Sequence, residues 1–314
     1  MYKKIFKISA ALSLLTVGNV FAQSNLYSDV PEGAEAVSLI DGRALTMPDA
    51  TNETVLKNLA DARYKYMDYP MNSDNAVWYG RRLAYAGDFR EAIKIFSEGM
   101  LDNPNDPQFL RHRGHRYVTI REFDRAIADL EKAGEMIKGK SNKVEQDGAP
   151  NEFGIPVSTL HGNIYYHLGL AYYLKHDWEN AKRVYDLDLD VATNDDNRVS
   201  ITHWRYMIRR RAGETHDAAK HVLDVINKDM KILENHTYHK LTLFYKGELT
   251  ESEISEGIDL EDSADAATAY GLANWHYYNG DEAKAKEMLQ SMMKAKAWGS
   301  FGYIAAEADL AAMM

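Results

Sequence analysis

A short turn recurs along this chain at an almost constant interval. It reads Ala86-Gly87-Asp88-Phe89, with Ala92 and Phe96 following. It returns as Arg121-Glu122-Phe123 with Ala126 and Leu130, and as His176-Asp177-Trp178 with Ala181 and Tyr185. Gly213-Glu214 with Ala218 and Val222, Gly247-Glu248-Leu249, and Gly280-Asp281 with Ala285 and Leu289 complete the set. Successive turns lie 34, 55, 37, 34 and 33 residues apart. Such a period marks a stacked array in which each unit buries its apolar face only against its neighbours. Length then says little about domain number, because an array grows in one dimension.

Each unit reads as helix, turn, helix. Glycine or a polar residue closes the first helix, where a left-handed residue is needed. The acid beside it favours the next helix N-terminus. Small residues (Gly80, Gly114, Gly169) fall in the middle of first helices and Ala92, Ala126, Ala181 and Ala285 early in second helices. The large residue four positions after each alanine is placed to fill the space beside the glycine. Pro104 and Pro107 end one unit and restart the chain.

In these turns and spacings the chain resembles the tetratricopeptide-repeat (TPR) family over about 75–293. The resemblance implies an all-α, right-handed α-solenoid of about six helix pairs, near 73–106, 107–138, 158–194, 199–231, 233–262 and 266–296. Helices near 53–67 and 301–313 are expected to cap the first and last pairs, and 23–52 to form an extended or loosely packed lead-in. The fifth pair is weak in its second helix (251–258), which lacks the alanine. Arg111-His112-Arg113-Gly114-His115-Arg116-Tyr117 and Gly302-Tyr303-Ile304-Ala305-Ala306-Glu307 also resemble a group of exported bacterial TPR proteins, a likeness that implies no particular activity.

Residues 1–22 read as a secretory signal: Lys3, Lys4 and Lys7, an apolar run from Ile8 to Val20, and small residues before a cleavage point at Gln23. The expected location is periplasmic or secreted. No cysteine is present, so neither a disulfide nor a lipid-modified cysteine contributes. Losing three signal lysines takes the formal charge from −10 to −13. That balance argues against nucleic acid and anionic membrane as partners. No later stretch is apolar for long enough to insert into a bilayer.

Several motifs tempt and fail on context. Gly134 to Ser141 spells a phosphate-binding loop, but a helical stripe rather than a strand precedes it. Asp186, Asp188 and Asp190 alternate as calcium ligands do, yet Val191 and Asn197 stand where glycine and glutamate belong, so a solvated acidic segment is expected. The pairs His112/His115 and His236/His239 lack an acidic ligand at matching spacing, and no metal or cofactor is expected. No nucleophile motif appears.

The TPR resemblance implies that first helices line a concave groove. Carrying its register over places Arg81, then Arg111 and His115, then Tyr166 and Tyr173, then His203 and Arg210, and finally Tyr270, Asn274 and Tyr277 on that wall. His161 and Asn163 would join them beneath the glycine- and proline-bearing insertion 139–157, read as a lid. Arginine suits carboxylate, sulfate or phosphate; tyrosine suits sugar rings and peptide bonds. The expected partner is a protein or peptide, a glycan or an anionic small molecule. The family's clamp for C-terminal carboxylates uses lysine and asparagine at the inner positions of neighbouring repeats, where this chain has Arg81, Arg111 and His115 and no matching pair. Two functions remain open: a binding scaffold with an open groove and exposed Arg81 and Arg111, or an enzyme or small-ligand receptor with a pocket of His115, His203, His239 and tyrosines under 139–157.

Overall fold

The computed structural model describes residues 30–314; the expected signal segment lies outside them. A helix α1 (Glu53–Asp68) leads into pairs α2 (Ser73–Ala86) and α3 (Phe89–Asp102), α4 (Pro107–Thr119) and α5 (Phe123–Ile137), and α6 (Leu160–Leu174) and α7 (Trp178–Asp190). Then come α8 (Asp195–Arg211) with α9 (His216–Ala219), α10 (His236–Tyr245) with α11 (Glu251–Ser255), and α12 (Ser263–Tyr278) with α13 (Glu282–Met292). The last helix is α14 (Phe301–Ala312). Each helix packs on its partner and on the next pair, and α1 packs on α2. The fold is all-α, as expected.

Two second helices are short. α11 spans five residues, as its missing alanine foretold. α9 spans four and tightens into a 3₁₀ turn, Lys220–Val225. The chain from Ile226 then runs irregularly past the start of α8. There the buried Asp196 carboxylate accepts the backbone N–H groups of Leu233, Glu234 and Asn235 at 2.8–3.2 Å. A side chain thus satisfies donors that a longer helix would have paired internally.

The described part of the lead-in, from residue 30, packs on the array. Ala36–Val37 and Ala44–Leu45 form a small antiparallel ladder, β1 and β2, whose Ala36 and Leu45 are buried in the main core. Glu35 accepts the backbone N–H of Arg90 at 2.9 Å, and Trp298 donates to the Thr46 carbonyl at 2.9 Å. Both contacts join residues far apart in the chain, which local periodicity cannot register.

The largest departure concerns α14. It packs on α12 and α13, as a terminal cover would, but it also touches α6. Every residue from Gly302 to Leu310 is buried. A Cβ at Gly302 would collide with the Ala266 carbonyl of α12. Its composition explains this: small and apolar residues on all sides make a helix that is stable only when enclosed. Two acids stand out. Glu307 pairs with Arg121 at 2.8 Å. Asp309 takes Arg211 at 2.8 and 3.1 Å, His176 at 2.8 Å and the Tyr270 hydroxyl at 2.9 Å.

Arg121 and His176 are the two non-glycine residues with positive φ, at 69° and 57°, among those described. They occupy the repeat turn where Gly87, Gly213, Gly247 and Gly280 stand elsewhere. A left-handed non-glycine residue costs roughly 1–2 kcal/mol. These two turns bear that strain and reach α14 with their side chains, which glycine could not do.

Candidate functional site

α4 carries Arg111, His112, His115 and Arg116 in two adjacent rows one turn apart. Asp106 caps the helix through the N–H of Gln108, and Pro107 fixes its first turn. These four side chains form one wall of a cavity of about 360 Å³. α2 contributes Arg81, Ala84 and Tyr85; α6 contributes Asn163, Tyr166 and His167. Asn197 and Ser200 of α8, Tyr238 of α10 and Asp188 of α7 close the far side. Phe301, at the start of α14, forms part of the lining.

Residues 145–147 and 157–159 also line it, so the insertion does lie over this space. It is fastened from several units at once. Arg81 donates to the Gln146 carbonyl at 2.8 Å and Arg82 to that of Gly148 at 2.7 Å. Asn194 and Asn197 donate to the Val157 carbonyl at 2.8 and 3.1 Å. Asn151 donates to Glu234 at 2.7 Å. Burial raises the Glu234 carboxyl, and the nearby Asp147 adds to the effect.

Electrostatically the pocket has two ends. Arg111 is buried and pairs with Glu145 of the insertion at 3.1 Å. It also donates to Nδ1 of His112 at 2.8 Å, leaving the proton of that ring on Nε2. His115 and His167 lie ring to ring, 4.1 Å between centroids. His167 donates through Nδ1 to the Asn163 carbonyl at 2.6 Å. Burial, reinforced by the neighbouring arginines, holds His112, His115 and His167 well below the ordinary histidine range, so all three are neutral at pH 7. At the other end, burial alone lifts Asp188 well above the carboxylate range. Its Oδ2 has no hydrogen-bond partner among the described residues. The Asp186–Asp190 stretch is therefore not a solvated acidic run: Asp186 pairs with Arg205, while Asp188 is buried and lines the pocket.

What sets α2, α4 and α6 at this spacing is one contact made three times. Gly80 lies against the Phe96 ring, Gly114 against Leu130 and Gly169 against Tyr185, and a Cβ at any of the three glycines would collide. Ala92, Ala126 and Ala181 are wholly buried beside them. The chain is an all-α array of repeated helix pairs. No family model and no curated protein matches it. Among solved structures it is similar to YrrB, described as a TPR protein with an unusual peptide-binding site, at 14% identity over 74% of this chain and 91% of that one, with a TM-score of 0.39. It is similar to a Podospora anserina putative kinesin light chain with nearly identical TPR-like repeats, at 13% identity over 72% and 95%, with a TM-score of 0.43. A third is Naa15/Naa10 bound to HypK-THB, at 15% identity over 77% of this chain and 35% of that one, TM-score 0.34. At such distances the ligand has to be argued from this chain's own residues.

Of the wall residues named from the repeat register, Arg81, Arg111, His115 and Tyr166 meet in the pocket. His161 faces another depression, shared with residues 102–108. Tyr173 and Tyr270 join hydroxyls at 2.7 Å inside the core, and Asn274 accepts from Arg211 at 3.2 Å. Tyr277 lies under the Arg211 guanidinium, 4.5 Å from its ring centre. Arg210 holds the Tyr278 carbonyl at 2.7 Å. His203 is packed among Trp204, Tyr238 and Tyr245, and burial pushes it down to about 3. His239 lies outside the pocket, bonded to the Asn227 carbonyl. The C-terminal half of the wall thus serves α14 and the core. His112, Arg116, His167 and Asp188 were missed. His112 and Arg116 were legible as neighbours of Arg111 and His115 on α4, and His167 as the neighbour of Tyr166 on α6; nothing local marks Asp188.

Proposed function

We propose that this protein is an exported binding scaffold that takes a small polar ligand, or the end of a longer one, into the pocket beneath the insertion. The observation that carries the reading is the placement of α14: the array encloses its own last helix, and a cavity lined by charged and polar side chains remains between α2, α4, α6 and α8. Its volume lies in the range of sites that enclose small molecules. Export rests on the charged start, apolar run and small residues of 1–22.

The test is capture of small molecules from periplasmic or secreted extract by the full chain, beside Ala84→Phe, which adds a ring to the cavity lining. A compound retained by the parent and lost in the variant supports the pocket. Equal retention by both, or displacement of α14 by the captured partner, overturns it. A catalytic reading has one observation in its favour: a carboxyl raised by burial and imidazoles lowered by burial share the cavity, as acid–base chemistry requires. It predicts turnover that Asp188→Asn abolishes while binding survives.

A further inference from the structure

The three guanidinium groups at the cationic end are not equivalent. Arg81 is engaged by the Gln146 carbonyl and lies 4.3 Å from the Trp78 ring centre. Arg111 is engaged by Glu145 and His112. Arg116 has no ion pair and no hydrogen bond among the described residues; its recorded contact is the Phe89 ring at 5.6 Å. Yet it lines the cavity.

We propose that the ligand of this pocket carries an oxyanion, a carboxylate, phosphate or sulfate, and that Arg116 is the residue that holds it. The inference rests on the pocket reading above and adds the ligand's chemistry. Arg116 is partly buried, and a cation held away from bulk water without a counter-ion is costly. The carboxylates nearby are already committed. Glu145 faces Arg111 and His112, at 3.1 and 3.5 Å. Glu234 is held by Asn151 and adjoins Asp147 at the insertion. Burial raises the Asp188 carboxyl, and it forms no ion pair with Arg116 among the described residues. The imidazoles of His112, His115 and His167 are neutral and cannot balance the charge. The electrostatics agree with the geometry: burial first, and then the Arg111 and Arg81 charges, push Arg116 down to about 9 against help from Tyr85. An arriving oxyanion supplies the missing partner, and the planar guanidinium presents paired donors to it.

The full chain is titrated with inorganic phosphate, sulfate, glucuronate and glucose 6-phosphate, with glucose as the neutral match, following the thermal midpoint and the heat of binding. At least one anion should bind the parent more than tenfold tighter than glucose. Arg116→Gln should lose at least tenfold of that affinity, since a charge-assisted hydrogen bond amounts to one such factor or more. Arg116→Lys should recover part of it. Without ligand, Arg116→Gln should melt above the parent, because it removes an unbalanced charge; a merely structural arginine would melt lower. Anion binding that survives Arg116→Gln, or no preference for any anion over glucose, overturns the proposal. If glucose binds and is excluded by Ala84→Phe or Ala192→Phe while Arg116→Gln has no effect, the oxyanion fails and the pocket stands. Binding that neither filling variant disturbs removes the pocket as well.

Discussion

Arg121→Gly separates the two opposing contributions of one residue. The parent side chain is 3% exposed and pairs with Glu307, which is 0% exposed. It also donates to the Thr119 and Trp298 carbonyls. Removing it leaves a buried carboxylate uncompensated, a loss of about 3–5 kcal/mol. Glycine relaxes the left-handed turn at φ 69°, a gain of roughly 1 kcal/mol. The net expectation is a destabilisation of about 2–4 kcal/mol, with the carboxylate term dominant. Urea unfolding of the full chain at pH 7 reads this, and amide exchange over 301–312 should speed up together with it. Pairing the change with Glu307→Met removes the stranded charge and should return stability to within about 1 kcal/mol of the parent. If the single variant is as stable as the parent, the strain at Arg121 outweighs its ion pair and the reasoning fails. If the double variant is no better than the single one, the cost lies elsewhere than in Glu307.

Three other outcomes follow from the same structure. Asp196→Asn turns a three-donor carboxylate into an amide and should cost about 1–3 kcal/mol, with faster amide exchange confined to 231–236. Asp188 has a folded-state value raised above the 3.8 of an ordinary aspartate, so folding binds its proton and stability falls as pH rises from about 4 toward that raised value. Asp188→Asn should therefore be level with the parent at pH 4 and more stable at pH 8; an unchanged difference across that range would contradict a raised Asp188. His112, His115, His167 and His203 are depressed from 6.5, so the stability they confer is whole above pH 6.5 and drains as pH falls below it. Each contributes a slope of up to about 1.4 kcal/mol per pH unit, and urea midpoints that stay flat from pH 7 to pH 5 would show these rings charged in the fold.

Arg111 shows where register reasoning stops. On sequence grounds Arg111→Ala removes a groove contact and leaves the fold intact. In the structure it strands Glu145, which is 6% exposed, and frees one anchor of the insertion, so it should destabilise the protein whatever happens to binding. Arg116, one turn further along the same helix, is the cleaner probe.

The periodic turns, the glycines at 80, 114 and 169 and the large residues facing them fixed the helix pairs before any coordinates, because each of those contacts lies within one 34-residue unit. The same local logic placed Arg81, Arg111, His115 and Tyr166 on one wall. It could not say what that wall faces. The enclosure of α14, the ion pair between Arg121 and Glu307, 186 positions apart, and the burial of Asp188 each depend on how many small rotations between units accumulate. Curvature is a sum over every interface in the array, and no single repeat carries it.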